Sequence, residues 1–200
     1  MPALLLLLFA AVLLPLRPLS AQWQLSLLAG TATTAGHARA ELDPELAAIL
    51  PDHPVSWSLG LAREYPAWRV SLDGSRITSD LAIRGRSTSL VTRDALSAWG
   101  VGLELAHRLH GRPAESSLWA GIGAAAERWS FDIAGGDPRW RVSLRGSLQI
   151  EVPLTSSWSG LLRAEASVGA SLFRVEELPG GYSRRAARRA GMQLGVTRRW

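Results

Sequence analysis

An all-β fold is predicted for this 200-residue chain: an eight-stranded antiparallel up-and-down transmembrane β-barrel, preceded by a cleaved signal peptide. Three observations carry the prediction. Apolar and polar residues alternate with period two in eight separate runs after Gln22, the pattern of strands with one apolar face. Of nine tryptophans, seven fall at strand ends on that apolar face. The opposite face is built from Gly, Ser and Ala, interrupted by charges of both signs.

The runs follow in order. "QWQLSLLAGTA" places Trp23, Leu25, Leu27 and Ala29 on one side, and "VSWSLGLARE" does the same with Val55, Trp57, Leu59 and Leu61. Tyr65 and Pro66 make a tight connection to "AWRVSLDGS", where Trp68, Val70 and Leu72 form the apolar face. The fourth run uses Trp99, Val101, Leu103 and Leu105, and the fifth Leu118, Ala120, Ile122 and Ala124. The sixth, "RWRVSLRGSLQIEV", is the clearest, with Trp140, Val142, Leu144, Leu148, Ile150 and Val152 against Arg141, Ser143, Arg145, Ser147, Gln149 and Glu151. The seventh carries Trp158, Leu162, Ala164, Ala166, Val168 and Leu172 against Ser159, Arg163, Glu165, Ser167 and Ser171. The eighth starts near Ala190 and runs to Trp200. Each run is near or above the roughly 9–11 residues that a tilted strand needs to cross a bilayer.

Connections alternate in length. Those after the second, fourth and sixth runs are short. Those at about 33–53, 76–94, 132–138 and 174–188 are mostly longer, and "AELDPELAAIL" in the first of them has room for a helical turn or two. In a meander every second connection lies at the same end, so one rim holds short turns and both termini.

Residues 1–21, "MPALLLLLFAAVLLPLRPLSA", are apolar as far as Leu16, broken by prolines, and close on Ser20 and Ala21. The apolar part is short of the roughly 20 residues of a membrane helix. It reads as a signal peptide cut before Gln22, leaving residues 22–200 as one barrel domain; an uncleaved anchor is the alternative. There is no cysteine, hence no disulfide and no thiol for lipidation. All 22 basic residues are arginine, the net charge is only +5, and the arginines are spread along the chain. No basic stripe for nucleic acid is indicated.

Alternation alone does not say whether the apolar face meets a core or lipid. In a soluble barrel it points inward; in an outer-membrane barrel it points out. Tryptophans at both ends of the apolar band favour lipid, because an indole suits the bilayer interface. So does the polar face: small residues with Glu104, Glu127, Arg141, Arg145, Glu151, Arg163 and Glu165 would fill a narrow lumen. A soluble surface would carry more charge and fewer glycines.

The final run, "MQLGVTRRW", resembles the C-terminal signal of bacterial outer-membrane barrels: alternating apolar residues, a glycine, a terminal aromatic. The chain resembles the small OmpA-like and OmpX-like eight-stranded family over about 180 residues, in pattern rather than identity. Arg198 departs from it, standing where the family often has an apolar or aromatic residue. The resemblance implies residence in the outer membrane as a monomer, contact with membrane lipid and lipopolysaccharide, and recognition of the strand ending at Trp200 by the barrel-assembly machinery.

Some barrels of this size are enzymes acting on lipid A, and their deacylases carry a histidine and a serine two residues apart, plus a glutamate. The histidines here are His37, His53, His107 and His110, and none has a serine two residues after it. His53 with Asp52 and Ser56 is the one Ser/His/acid set the sequence offers. His107 and His110 form a weak metal pair. No phosphate loop, dinucleotide or metalloprotease motif occurs. Arg184, Arg185, Arg188 and Arg189, in a connection, have the chemistry to bind lipopolysaccharide phosphates. The sequence thus predicts a structural or surface-interacting barrel with no catalytic, cofactor or metal site. The alternatives are a lipid A-modifying enzyme and a soluble periplasmic ligand-binding barrel.

Overall fold

The computed structural model describes residues 22–41, 47–85, 89–112, 115–132, 137–178 and 180–200; the expected leader, residues 1–21, lies outside them. Eight strands, β1 (Gln22–Ala40), β2 (Ala47–Glu64), β3 (Trp68–Gly85), β4 (Ser89–His110), β5 (Ser117–Phe131), β6 (Arg139–Pro153), β7 (Trp158–Gly169) and β8 (Tyr182–Arg199), pair in chain order and close into a barrel. All neighbours are antiparallel. Closure matters because an open edge exposes N–H and C=O groups that hydrocarbon leaves unbonded. The seam runs between β1 and β8, and Trp200 exchanges two backbone hydrogen bonds of 3.2 Å with Trp23.

At the end carrying Gln22 and Trp200 the turns are tight, as expected. The Tyr65 N–H donates to the Trp68 carbonyl at 2.7 Å, and Thr155 Oγ1 accepts from the Trp158 N–H at 3.0 Å.

The stagger of the barrel follows from the pairing. The hydrogen-bonded row that leaves β6 at Trp140 passes through Arg128, Trp99, Arg76 and Trp57. It continues through Ala29, Leu194 and Leu162 and re-enters β6 at Ile150, ten residues on. Eight strands with that stagger tilt by about 40°, which gives roughly 2.5 Å of height per residue. On this lattice Trp23, Trp68, Trp158 and Trp200 lie within roughly 5 Å of one level. Trp99 stands roughly 25 Å above them, the height of an outer-membrane apolar band. The upper tryptophans climb along the row, Trp57 lowest and Trp140 highest.

Parity assigns the faces. Leu27, Leu59, Val101, Ile122, Leu144, Leu148 and Leu194 are exposed on the outside, Leu144 by 64%. Gln24, Arg69, Asp73, Glu104, Arg145, Gln149, Glu151 and Arg163 are buried inside. The two tryptophans of the other parity, Trp119 and Trp129, point inward and are buried.

Above the upper tryptophans the polarity inverts. Ala38, Ile49, Ile77, Ala95, Leu96, Trp129, Leu172 and Phe173 form an inward apolar core, as water on the outside requires. Here the structure corrects several expectations. The stretches read as loops at 33–53 and 76–94 are mostly strand: β1 continues to Ala40 and β2 begins at Ala47, while β3 continues to Gly85 and β4 begins at Ser89. The connection 132–138 agrees with the gap between β5 and β6. No helix forms among the described residues of "AELDPELAAIL"; residues 47–50 are strand and 42–46 lie outside the described residues. The seventh strand stops at Gly169, so Leu172 is not on its outer face but buried beneath the outer end of the lumen. The eighth begins at Tyr182, not near Ala190.

Bulges explain the misreading. Pairing shifts register at Ala35/His37, Asp52/Val55 and Ser79/Leu81. His37, His53 and Asp94 carry positive φ of 69°, 48° and 51°. Each extra residue breaks the period of two and bends the strand.

Candidate functional site

The lumen is filled in three layers. Nearest the short turns, Glu151 is fully buried and takes Arg69 at 3.4 Å and Arg199 at 2.5 Å. Glu64 pairs with Arg108 and accepts a hydrogen bond from Gln24. Arg69 and Arg108 both lie over the Trp119 ring, with the guanidinium carbons 4.6 and 4.5 Å from its centroid. Both cations are drawn to the quadrupole of the indole. Its Nε1–H donates to Ser117 Oγ at 3.0 Å, so the ring leaves no buried donor unmet.

The middle layer centres on Glu104. Its carboxylate accepts from Gln149 Nε2 (2.6 Å), Arg163 Nη2 (2.6 Å) and the Ser147 hydroxyl (2.9 Å). Arg163 also donates to Glu165 at 2.7 Å. Arg145 forks onto both oxygens of Asp73, with Glu165 further off at 3.9 Å. Arg145 faces the lumen, as the alternation of its strand predicts, and its main partner is across the lumen on β3. Glycines make the space: a Cβ at Gly102 would lie 2.3 Å from Arg145 Nη2, and one at Gly121 would lie 2.8 Å from the Glu104 carboxyl carbon.

In the upper layer Arg189 donates to Glu127 at 2.7 Å, and Trp129 Nε1–H donates to the same carboxylate at 3.0 Å. The segment after β7 folds over this layer as a cap. Arg141 Nε donates to the Ser171 carbonyl at 2.6 Å and Arg139 Nη1 to the Leu172 carbonyl at 3.2 Å. The Ser171 hydroxyl donates to the His37 carbonyl at 2.7 Å. Phe173 packs against Phe131 and His37. Arg139 also pairs with Glu177 in a short 3-10 turn (Val175–Glu177), and that hydrogen bond holds the Glu177 carboxyl below its usual range.

Cavities of about 50, 40 and 30 Å³ remain along the lumen, each room for a few waters at most. The arrangement is a plug: opposed charges paired with one another in a narrow space.

An outward apolar belt, a charged lumen and a closed wall together specify a membrane-spanning barrel. No family model matches the sequence, and no curated protein matches it. Solved structures match the fold. The outer membrane protein OprG from Pseudomonas aeruginosa superposes with a TM-score of 0.58 at 10% identity, covering 90% of this chain and 96% of that one. Neisserial surface protein A (NspA) gives 0.56 at 12% identity over 90% and 97% of the two chains. The N-terminal β-barrel domain of Pseudomonas aeruginosa OprF gives 0.50 at 9%, over 88% and 97%.

The fold is that of an outer-membrane β-barrel.

In an outer-membrane barrel the tight turns face the periplasm and the longer connections face outward, so the capped end is external. The catalytic set the sequence offered does not assemble. His53 contacts Asp52 at 3.1 Å, but its side chain is 79% exposed outside. Ser56 has the inward parity and accepts from Gln193 Nε2 at 3.1 Å. Asp52 instead binds Arg84 at 2.6 Å. His107 lies on the outer wall against the Trp68 ring, with centroids 4.4 Å apart. Among the described residues no group of three potential ligands that could hold a metal occurs.

The four arginines placed in a connection lie on β8 and separate by parity. Arg189 enters the lumen and is neutralised by Glu127, and Arg188 has the outward parity; the register shift before Arg185 breaks the alternation, so that Arg184 is paired with the inward Ala38. Sequence reasoning missed Glu64, Arg69, Asp73, Arg108 and Arg199. Parity was the available signal for Arg69 and Asp73, which alternate with Trp68, Val70 and Leu72.

Proposed function

We propose that the chain is a monomeric outer-membrane barrel with a structural or surface-interacting role and no intrinsic catalysis, exported by residues 1–21 and mature from Gln22. The plugged lumen carries this reading: its ionisable groups are committed to one another rather than converging on an open cleft. The external extensions of β1–β4 support a surface role. They lift the β3–β4 hairpin clear of the belt, and its tip exposes Ile83, Leu90 and Val91. Lipid and lipopolysaccharide are the partners of the outer wall.

Membrane fractionation with heat-modifiable gel migration tests the reading. The mature chain should sediment with outer membranes, resist carbonate and shift mobility on boiling. A soluble monomer in the periplasmic fraction would sink it.

The strand ending at Trp200 is proposed to be read by the barrel-assembly machinery. Trp200 seals the seam through its two bonds to Trp23. A terminal strand out of register leaves unpaired backbone groups in hydrocarbon, each costing several kcal/mol. Deleting Trp200, or Trp200→Asp, should leave the chain aggregated or degraded. Normal surface abundance of the deletion variant would show the terminal aromatic to be incidental.

A further inference from the structure

The arginines sort by face. Inside, Arg69, Arg108, Arg139, Arg145, Arg163, Arg189 and Arg199 each lie within 4 Å of a carboxylate. On the outer wall Arg76 and Arg128 have no carboxylate partner among the described residues. They occupy alternate places on one hydrogen-bonded row, Trp57–Arg76–Trp99–Arg128–Trp140, across β2 to β6. Arg76 lies over the Trp99 ring at 4.8 Å, and Trp57 meets Trp99 edge-on at 5.8 Å. The next outward row up carries hydroxyls: Thr78, Ser97 and Ser130 are paired neighbours on β3, β4 and β5.

We infer that this patch is a binding site for the phosphorylated saccharide headgroup of an outer-leaflet glycolipid, an assignment that rests on the outer-membrane reading above. The two guanidinium groups are two strands apart, roughly 10 Å, a spacing that suits separate phosphates or the two ends of one headgroup. Arginine's planar fork fits phosphate, and at Arg76 the stacking on Trp99 orients it while keeping its N–H edge free. The tryptophans bracket it with apolar surface at the level where the belt ends, so the ligand carries acyl chains as well as charge. The hydroxyl row lies above, on the headgroup side, where a sugar would meet it. A free phosphate would use the guanidinium groups and leave the indoles and hydroxyls without a role.

The test uses the full mature barrel in non-ionic detergent, with bound lipid counted by native mass spectrometry. The probes are diphosphoryl lipid A, phosphatidylglycerol and inorganic phosphate. The R76Q/R128Q double variant should bind diphosphoryl lipid A roughly tenfold or more weakly than the parent, given the strength of charge-assisted hydrogen bonds. The R63Q/R198Q variant supplies the control. Those arginines stack on Trp23 and Trp158 at the opposite belt, and their loss should change binding by less than about twofold, as surface charges far from a site do. Undiminished binding by R76Q/R128Q, or an equal loss in the control, overturns the site. Phosphatidylglycerol or inorganic phosphate bound as tightly as lipid A overturns the glycolipid assignment. Every variant is first shown to be folded by its heat-modifiable band. A parent chain that yields no such barrel in bilayers contradicts the outer-membrane reading itself, a failure separate from that of this site.

Discussion

Leu144→Arg is expected to destabilise the barrel in bilayers by about 1–2 kcal/mol, between the cost of a cation on the lipid face at the midplane and at the interface, since Leu144 stands roughly 4 Å below the level of Trp99. Leu144 is 64% exposed on the outer wall, flanked across strands by Ala124 and Val168. Its neighbour Arg145 has the opposite parity and is buried. A spin label at position 144 should therefore collide with oxygen dissolved in lipid, and one at 145 should not. Urea unfolding of vesicle-inserted protein measures the first effect, and power-saturation spectroscopy the second. Reversed accessibilities would make the apolar face a packed core, and the membrane assignment would fall with it.

Faces were legible in the sequence because parity is local. Two residues on one strand, such as Leu144 and Arg145, differ in side whatever the rest of the barrel does. Partners were not legible, because they depend on the stagger of the whole ring. Arg145 is opposite Ser167 in register on β7, the strand that also carries Glu165. The side chain instead crosses to Asp73, 72 residues away, a reach set by a lumen only eight strands round.

The outer extensions were hidden for a different reason. Two signals fail there together. Bulges at Gly36–His37 and at His53 shift the period, and the inward face turns from polar to apolar as lipid gives way to water. Ile49 and Leu50, adjacent and both buried, leave no alternation to read. The same inversion hid the cap, where Leu172 looked like a lipid-facing residue of a longer strand.

The outer Arg–Trp row escaped notice because each member is ordinary alone. Arg76 reads as the end of a strand and Arg128 as a rim residue. Only the register joins them into one line, whereas "RRAARR" drew attention by its density and then divided between lumen and surface.

Asp73→Ala is expected to cost about 3–5 kcal/mol, since removing one partner of a buried pair leaves the other charge uncompensated. Asp73 and Arg145 are 8% and 7% exposed, and both Arg145 nitrogens of the fork reach this carboxylate. The remaining acid near Arg145, Glu165 at 3.9 Å, is already engaged by Arg163 at 2.7 Å. Arg145→Met should be costly in the same way, stranding Asp73 among Ser58, Ser75 and the 50 Å³ cavity. The combined variant, Asp73→Ala with Arg145→Met, should lose less than the two single losses together, because it removes both desolvated charges at once. Equilibrium unfolding in lipid vesicles gives all three values. Simple additivity would mean that each group is solvated independently, and the lumen would then be a wet passage rather than a plug. The structural role proposed for the barrel depends on that difference: a lumen locked by paired charges holds its shape and passes little, while one lined by independent hydrated ions is a path for solutes.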